Sequence, residues 1–413
     1  MANKVKSTIS NYKIIIIIFV LFALAASFQA LLSGTRTYQK DGIEYNKYNN
    51  YTIFEKSFEH LKEGKDLYML FPEEHWDLFK YSPTFAVFFG IFAVTPDWLG
   101  LNLWNLLNAL LLVGSVYYLP KLNNYQKGLI LILLSIELMT SLQNAQSNGL
   151  IAGLLVLAFA LLEREKYSFA TLLIVFSVFV KLFGIVGFVL FLFYPKKWKL
   201  VLYSILWSVL LFAIPLIFID YSQYKLLISS FGNLLFSDHT VSHGLSVMGL
   251  LSSWFGVELN KMYIVLAGMI VFLIPFVKIK EYKNYTFRLL ALSSLLIWVV
   301  IFNHKAESPT YVIAITGAAI WFVISEKNKL NIALFALAFL LTSLSPTDIF
   351  PRFIRNEYIK PFTLKALPCI FIWFKIIYDM IVFKDPEIPK EVIDVKKNSA
   401  IMSLKSNYLF FFR

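Results

Sequence analysis

Long apolar runs separated by short polar turns dominate this chain. The runs fall at 12–32, near 83–95, 98–119, 126–140, 149–162, 167–194, 200–219, 261–278, 286–302, 308–325, 329–345 and 363–384. A helix needs about 20 apolar residues to cross a bilayer, so several of these are full spans and others are short. The first, YKIIIIIFVLFALAASFQALL, is long for the apolar region of a signal peptide, which predicts a retained spanning helix. The pattern predicts an all-α polytopic integral membrane protein with about 11–13 membrane segments, short re-entrant ones included.

The turns carry the sidedness. Lys4, Lys6 and Lys13 precede the first run, and later turns hold Lys121 and Lys127, Arg164 and Lys166, Lys196, Lys197 and Lys199, Lys278, Lys280 and Lys283, then Lys327 and Lys329. Placing all of them in the cytoplasm gives one path with both termini inside. Residues 167–194 must then leave and return between two cytoplasmic turns, yet are too few for two spans. A broken pair of half-helices with Lys181 at its tip is predicted, because irregular backbone at membrane depth must be covered by protein. Residues 83–95 are likewise short and read as a partial insertion at the outer surface.

Between the first two runs, the amphipathic stretch TIFEKSFEHL puts Ile53, Phe54, Phe58 and Leu61 on one stripe and Glu55, Glu59, Lys62 and Glu63 away from it. This predicts an interfacial helix ended by Gly64. Residues 34–82 form the outer loop containing it, within a single membrane domain over 1–384, and 385–413 form a basic cytoplasmic tail.

Composition supports lipid as solvent: the 413 residues are 58% hydrophobic and 15% charged, against about a quarter charged in soluble domains. The net charge of +12 sits in turns and tail, where anionic headgroups favour it, so nucleic acid is not an expected partner. Cys369 is alone, which excludes disulfides and cysteine–zinc clusters within one chain.

The chemistry gathers on the outer side. Asp41, Glu44 and Asp66 flank the interfacial helix, and Glu307 stands at the mouth of a span. A carboxylate there could serve as general base toward a hydroxyl acceptor. Gln143, Asn144, Gln146 and Asn148 could read sugar hydroxyls or bond helix to helix. Tyr68, Trp76, Tyr81 and Trp98 suit the headgroup level, and Lys181 could pair with a phosphate or snorkel to a headgroup. His239 and His243 beside Asp238 are a weak metal signal without HExxH, and no metal is expected. No phosphate-binding loop or dinucleotide glycine pattern is present, so no nucleotide cofactor is expected and a sugar donor would be carried on lipid.

GKDLY (64–68), KYSPTFAVFFGIFAVTP (80–96), LNLWNLLNALLL (101–112), QNAQSNGLIAGLLVLAFALLER (143–164), SVFVKLFGIVGFVLFLFYPKKWK (177–199), SHGLSVMGLL (242–251) and NHKAESPTY (303–311) together resemble bacterial membrane glycosyltransferases of family 87, formerly a domain of unknown function. The resemblance covers about residues 10–345 and implies a GT-C fold that moves mannose or a related sugar from a polyprenyl-phosphate to an acceptor, with inversion. It puts the family's lysine at Lys181, its polar cluster at Gln143, Gln146 and Asn148, and its late histidine at His304. The family's basic aspartate falls at Asn50, an amide without useful basicity. Either Asp41, Glu44 or Asp66 takes the role, with Glu44, six residues before Asn50, ranked first, or the register differs by a small gap, or catalysis is lost.

The expected function is transfer of a hexose from a polyprenyl-phosphate donor to an envelope glycan or glycolipid, at the outer face of the cell membrane, by a monomer. Lys181 and His304 would hold the donor phosphate. Asn50, Gln143, Asn144, Gln146, Asn148, Tyr68, Tyr81 and His243 would hold sugar and acceptor. A transporter or flippase of a lipid-linked solute and a non-catalytic relative are the alternatives, the latter resting on Asn50.

Overall fold

Four helices among the described residues are long and apolar enough to cross a membrane: Tyr12–Leu32, Asp97–Tyr117, Asn124–Gln143 and Lys197–Ile217. The computed structural model describes residues 2–37, 42–237 and 243–384. In chain order, α1 (Ala2–Ser10) leads into α2 (Tyr12–Leu32), whose first turn is capped by the Asn11 side chain accepting the Lys13 N–H at 3.1 Å. The hairpin β1 (Thr35–Thr37) and β2 (Glu44–Asn46) follows, with Thr37 opposite Glu44. This hairpin corrects the all-α expectation: outside the helices, the polar backbone of the loop after α2 satisfies itself by pairing.

Then come α3 (Asn49–Lys62), α4 (Pro83–Ala93), α5 (Asp97–Tyr117), α6 (Asn124–Gln143), α7 (Asn148–Leu162) and α8 (Tyr167–Val180). Beyond a 3-10 stretch over Leu182–Phe193 lie α9 (Lys197–Ala213), α10 (Tyr221–Ser237), α11 (Val247–Phe255), α12 (Lys261–Leu273), α13 (Tyr285–Ile301), α14 (Tyr311–Ile324), α15 (Lys329–Leu337), the single turn α16 (Arg352–Ile354) and α17 (Leu367–Ile381).

Close backbone approach builds the bundle. A Cβ at Gly153 of α7 would lie 3.0 Å from the Leu112 nitrogen of α5, and one at Gly317 of α14 would lie 2.6 Å from the Ser293 carbonyl of α13. Small residues at such crossings let apolar helices pack without a hydrophobic driving force between them. Polar side chains add specific ties, such as Asn105 Nδ2 of α5 donating to Ser27 Oγ of α2 at 2.9 Å. Several short apolar helices, α7, α13 and α14 among them, are buried along most of their length. Neighbouring helices, more than lipid, are their solvent.

The turns sort to the two ends in the pattern of the charges. At one end, the Arg164 guanidinium lies 3.9 Å from the Tyr118 ring centroid, Arg288 makes a two-pronged pair with Glu163 (2.5 and 2.7 Å), and Lys278 Nζ donates to the Phe383 carbonyl at 2.7 Å. At the other end, Asn50 Nδ2 donates to the Asn144 carbonyl at 2.9 Å, Gln223 Nε2 to the Lys65 carbonyl at 2.8 Å, and Trp254 Nε1 to the Phe362 carbonyl at 2.8 Å. Turns that the lysines assign to one side touch each other.

The stripe on α3 is buried as its spacing predicts, with Phe54 packed edge-to-face on Phe85, Phe89 and Trp104. Gly64 follows at φ +72°, the left-handed geometry of a helix stop. Glu55 is a correction. Its position puts it on the polar side, yet it is only 8% exposed and lies beside Asp97 at the start of α5, to which Tyr48 Oη also donates at 3.1 Å. The flank of α3, and not only its apolar stripe, is covered by the end of a neighbouring helix.

Candidate active site

Lys181 stands where α8 breaks. Its backbone is extended (φ −143°, ψ 126°), its N–H still donates to the Ser177 carbonyl at 2.8 Å, and the 3-10 stretch restarts at Leu182. Gly184 permits the tight reversal, since a Cβ there would lie 2.4 Å from Ser177 Oγ. The broken half-helix pair is therefore present, with the lysine at its break.

The turn between α6 and α7 presents the amides. Ala145 adopts a left-handed φ of 48°, and its carbonyl accepts Trp104 Nε1 at 2.9 Å, which fixes the bend. Gln146 and Asn148 thereby face Lys181 and the loop of residues 303–308. Lys181 Nζ donates to Asn148 Oδ1 (2.8 Å), Asn148 Nδ2 to Gln146 Oε1 (2.6 Å), and Gln146 Nε2 to Glu307 Oε2 (2.9 Å). Glu307 is held from its other side by a reciprocal cap: its carboxylate accepts the Thr310 N–H, and its own N–H donates to Thr310 Oγ1 at 3.2 Å. Asn148 is fully buried, Lys181 half-buried and Glu307 exposed, so the chain runs from the interior of the bundle to its surface.

Aromatic rings surround the ammonium. The rings of Tyr81 and Phe183 each lie 5.7 Å from Lys181 Nζ, within cation–π range. Tyr68 Oη donates to the Tyr81 carbonyl at 3.0 Å and its ring stacks on Phe231 at 5.3 Å. An open apolar cavity adjoins the break, lined by Ser82, Pro83, Phe179, Leu182, Phe212 and Phe231.

The remaining residues singled out in the sequence are placed elsewhere or hold structure. Asn50 ties the start of α3 to the Asn144 carbonyl, Gln143 Nε2 donates to Gln29 Oε1 at 2.6 Å, and Asn144 Nδ2 to the Thr140 carbonyl at 2.8 Å. Gln143 and Asn144 thus bond helix to helix or within a helix. Glu44 is exposed on β2 and accepts the Thr35 hydroxyl. Asp66 accepts Ser230 Oγ at 2.6 Å and the Tyr68 N–H at 3.1 Å, joining the wall behind Tyr81. Asp41, Asp238 and His239 lie outside the described residues.

His243 and His304 come from segments that touch. Leu245 N donates to the Ala306 carbonyl at 2.8 Å, and Gly244, at φ +57°, packs so tightly that a Cβ would lie 2.5 Å from the His304 carbonyl oxygen. Neither ring nitrogen of His243 meets a hydrogen-bond partner among the described residues. No grouping of three or more His, Cys, Asp or Glu side chains suited to a metal ion occurs among the described residues.

Glu55, which spacing alone misassigned, has a titration consequence. Burial first, and the Asp97 carboxylate second, push its pKa from the ordinary 4.5 up to about 8. The folded state therefore holds this proton more tightly than the unfolded state, and stability falls as pH rises from about 4.5 to about 8. Glu55→Gln is expected to flatten that slope and to leave the protein more stable than wild type near pH 8, read as unfolding midpoints across pH. Parallel pH profiles for the two proteins would refute the assignment.

The family model for glycosyltransferase family 87 matches residues 79–302, more than half of the chain. No curated protein matches it. The matched span contains Tyr81, the amide turn, Lys181 and His243, and ends just before His304 and Glu307.

Proposed function

The chain belongs to glycosyltransferase family 87, and on that premise we propose that it transfers a hexose of mannose type from a polyprenyl-phosphate donor to a glycan or glycolipid acceptor, with inversion. The setting we propose is a polytopic GT-C-like bundle in the cell membrane, with both termini cytoplasmic and the Lys181 site facing outward. The observation that carries this reading is the hydrogen-bonded chain from Lys181 through Asn148 and Gln146 to Glu307.

Its two ends suit the two ends of an in-line displacement. The acceptor oxygen attacks the anomeric carbon and passes its proton to a carboxylate. The bond from that carbon to the phosphate oxygen breaks, and its electron pair leaves with the phosphate. Base and leaving group must lie on opposite sides of the sugar, and here two amide side chains separate carboxylate from ammonium. Those amides can donate to and accept from sugar hydroxyls between them. An ammonium has three donors, and the one side-chain hydrogen bond of Lys181 among the described residues leaves two for phosphate oxygens. The apolar cavity beside the break suits the isoprenoid tail. Among the carboxylates, Glu307 is joined to this chain, so we assign it the base role ahead of Glu44, Asp41 and Asp66. Asn50, Tyr68, Tyr81, His243 and His304 complete the walls in this reading.

The test is reconstitution with radiolabelled polyprenyl-phosphate-mannose, with accessibility tags reporting sidedness. Label should pass to an envelope-lipid acceptor. Tags after residues 70 and 305 should report the outer side, and tags after 124, 165 and 281 the cytoplasm. A cytoplasmic report at 305 would overturn the outward-facing site, and label that moves across the bilayer while still attached to its lipid would make the protein a flippase.

A further inference from the structure

The end of the bundle opposite the Lys181 site holds an open cleft between the turn joining α5 to α6 and the turn joining α12 to α13. Lys121, Lys280 and Lys283 line it, with Glu281 the one acidic lining residue, so positive charge is in excess by two. These lysines come from turns about 160 residues apart in sequence, and the fold gathers them around one space. Lys121 adopts a left-handed φ of 57°, and its ammonium lies over the Tyr285 ring, 5.1 Å from the centroid. Asn284 and Thr286, at the first turn of α13, add polar groups to the lining, while Leu122, Leu289 and Ile324 add apolar surface. The lining is thus amphiphilic: cations and amides beside aliphatic side chains.

We infer that this cleft binds a phosphate-bearing anion, the headgroup of an anionic phospholipid of the cytoplasmic leaflet, with an acyl chain on Leu289 and Ile324. A soluble phosphate compound shares the headgroup chemistry but has no use for the apolar surface. Basic pockets between helices on the cytoplasmic side are suited to such headgroups, each lysine near the surface contributing about fivefold in affinity. The site is remote from the transfer chemistry and does not depend on it.

Native mass spectrometry of the full chain, delipidated stepwise from phosphatidylglycerol or phosphatidylcholine nanodiscs, tests this. Wild type is expected to retain one phosphatidylglycerol and no phosphatidylcholine. The combined Lys121→Ala, Lys280→Ala and Lys283→Ala variant should bind it on the order of a hundredfold more weakly. A variant with Lys196, Lys197 and Lys199 changed to alanine removes equal charge from another turn and should retain the lipid. The single Lys121→Gln variant, expected to weaken retention about fivefold, covers failure of the triple variant to fold. Glycerol 1-phosphate added without lipid separates the sources: binding as tight as the lipid's would make the ligand a soluble phosphate compound. Equal retention of both lipids, or equal losses from the two triple variants, would overturn the site.

Discussion

Lys181→Met is expected to lower turnover by about 10²–10³-fold at saturating donor, the scale seen when one group that stabilises departing negative charge is removed, and to leave the protein folded in the membrane. Methionine keeps most of the apolar length of lysine and fits between the Tyr81 and Phe183 rings. What it removes is the ammonium, and with it the donor to Asn148 Oδ1. In the proposed transfer the leaving phosphate gains charge as the anomeric bond breaks, so the loss should fall on the rate constant more than on donor affinity. Single-turnover kinetics beside a donor-binding isotherm separate the two. Normal turnover at saturating donor would make Lys181 a structural tie of the helix break, with its charge held for Asn148 alone.

How far this site could be read from sequence depends on the range over which its parts communicate. The break at Lys181 was legible because its cause is local: a lysine inside an apolar run too short for two spans, between basic turns. The stripe of Phe54 and Phe58 was legible for the same reason, since period 3.6 is a local property. Glu55 was misread because the residue that covers it, Asp97, lies 42 positions away. The fully buried pair of Lys365 Nζ with Glu137 Oε1 at 2.7 Å, joining residues 228 apart, left no trace in either segment. Spacing likewise could not divide the amide cluster. Gln146 and Asn148 connect Lys181 to Glu307 while Gln143 and Asn144 tie helices together, and the left-handed Ala145 that separates these pairs carries no glycine to announce it. The segments that carry the family resemblance include Lys181 and the amide turn, which the structure joins by hydrogen bonds, while the contact of Gln146 with Glu307 lies across 161 residues and has no local signal.

Glu307→Gln should therefore be the most damaging isosteric change among the carboxylates, lowering transfer by about 10²–10⁴-fold, the usual contribution of a positioned general base. Glutamine preserves size and keeps one carbonyl acceptor for Gln146 or the Thr310 N–H, so donor binding should survive. Glu44→Gln keeps a carbonyl acceptor for the Thr35 hydroxyl on an exposed hairpin, and Asp66→Asn loosens the Ser230 contact behind Tyr68. Neither touches the chain that ends at Lys181, and each should cost far less than Glu307→Gln. Asp41→Asn completes the set. Measured together as turnover and donor affinity, the four variants give a ranking that only one base assignment satisfies. A catastrophic loss in Glu44→Gln with transfer intact in Glu307→Gln would move the base to the hairpin beside Asn50, and would leave Glu307 as a cap on Thr310 that orients Gln146. Transfer intact in all four would defeat carboxylate catalysis here altogether.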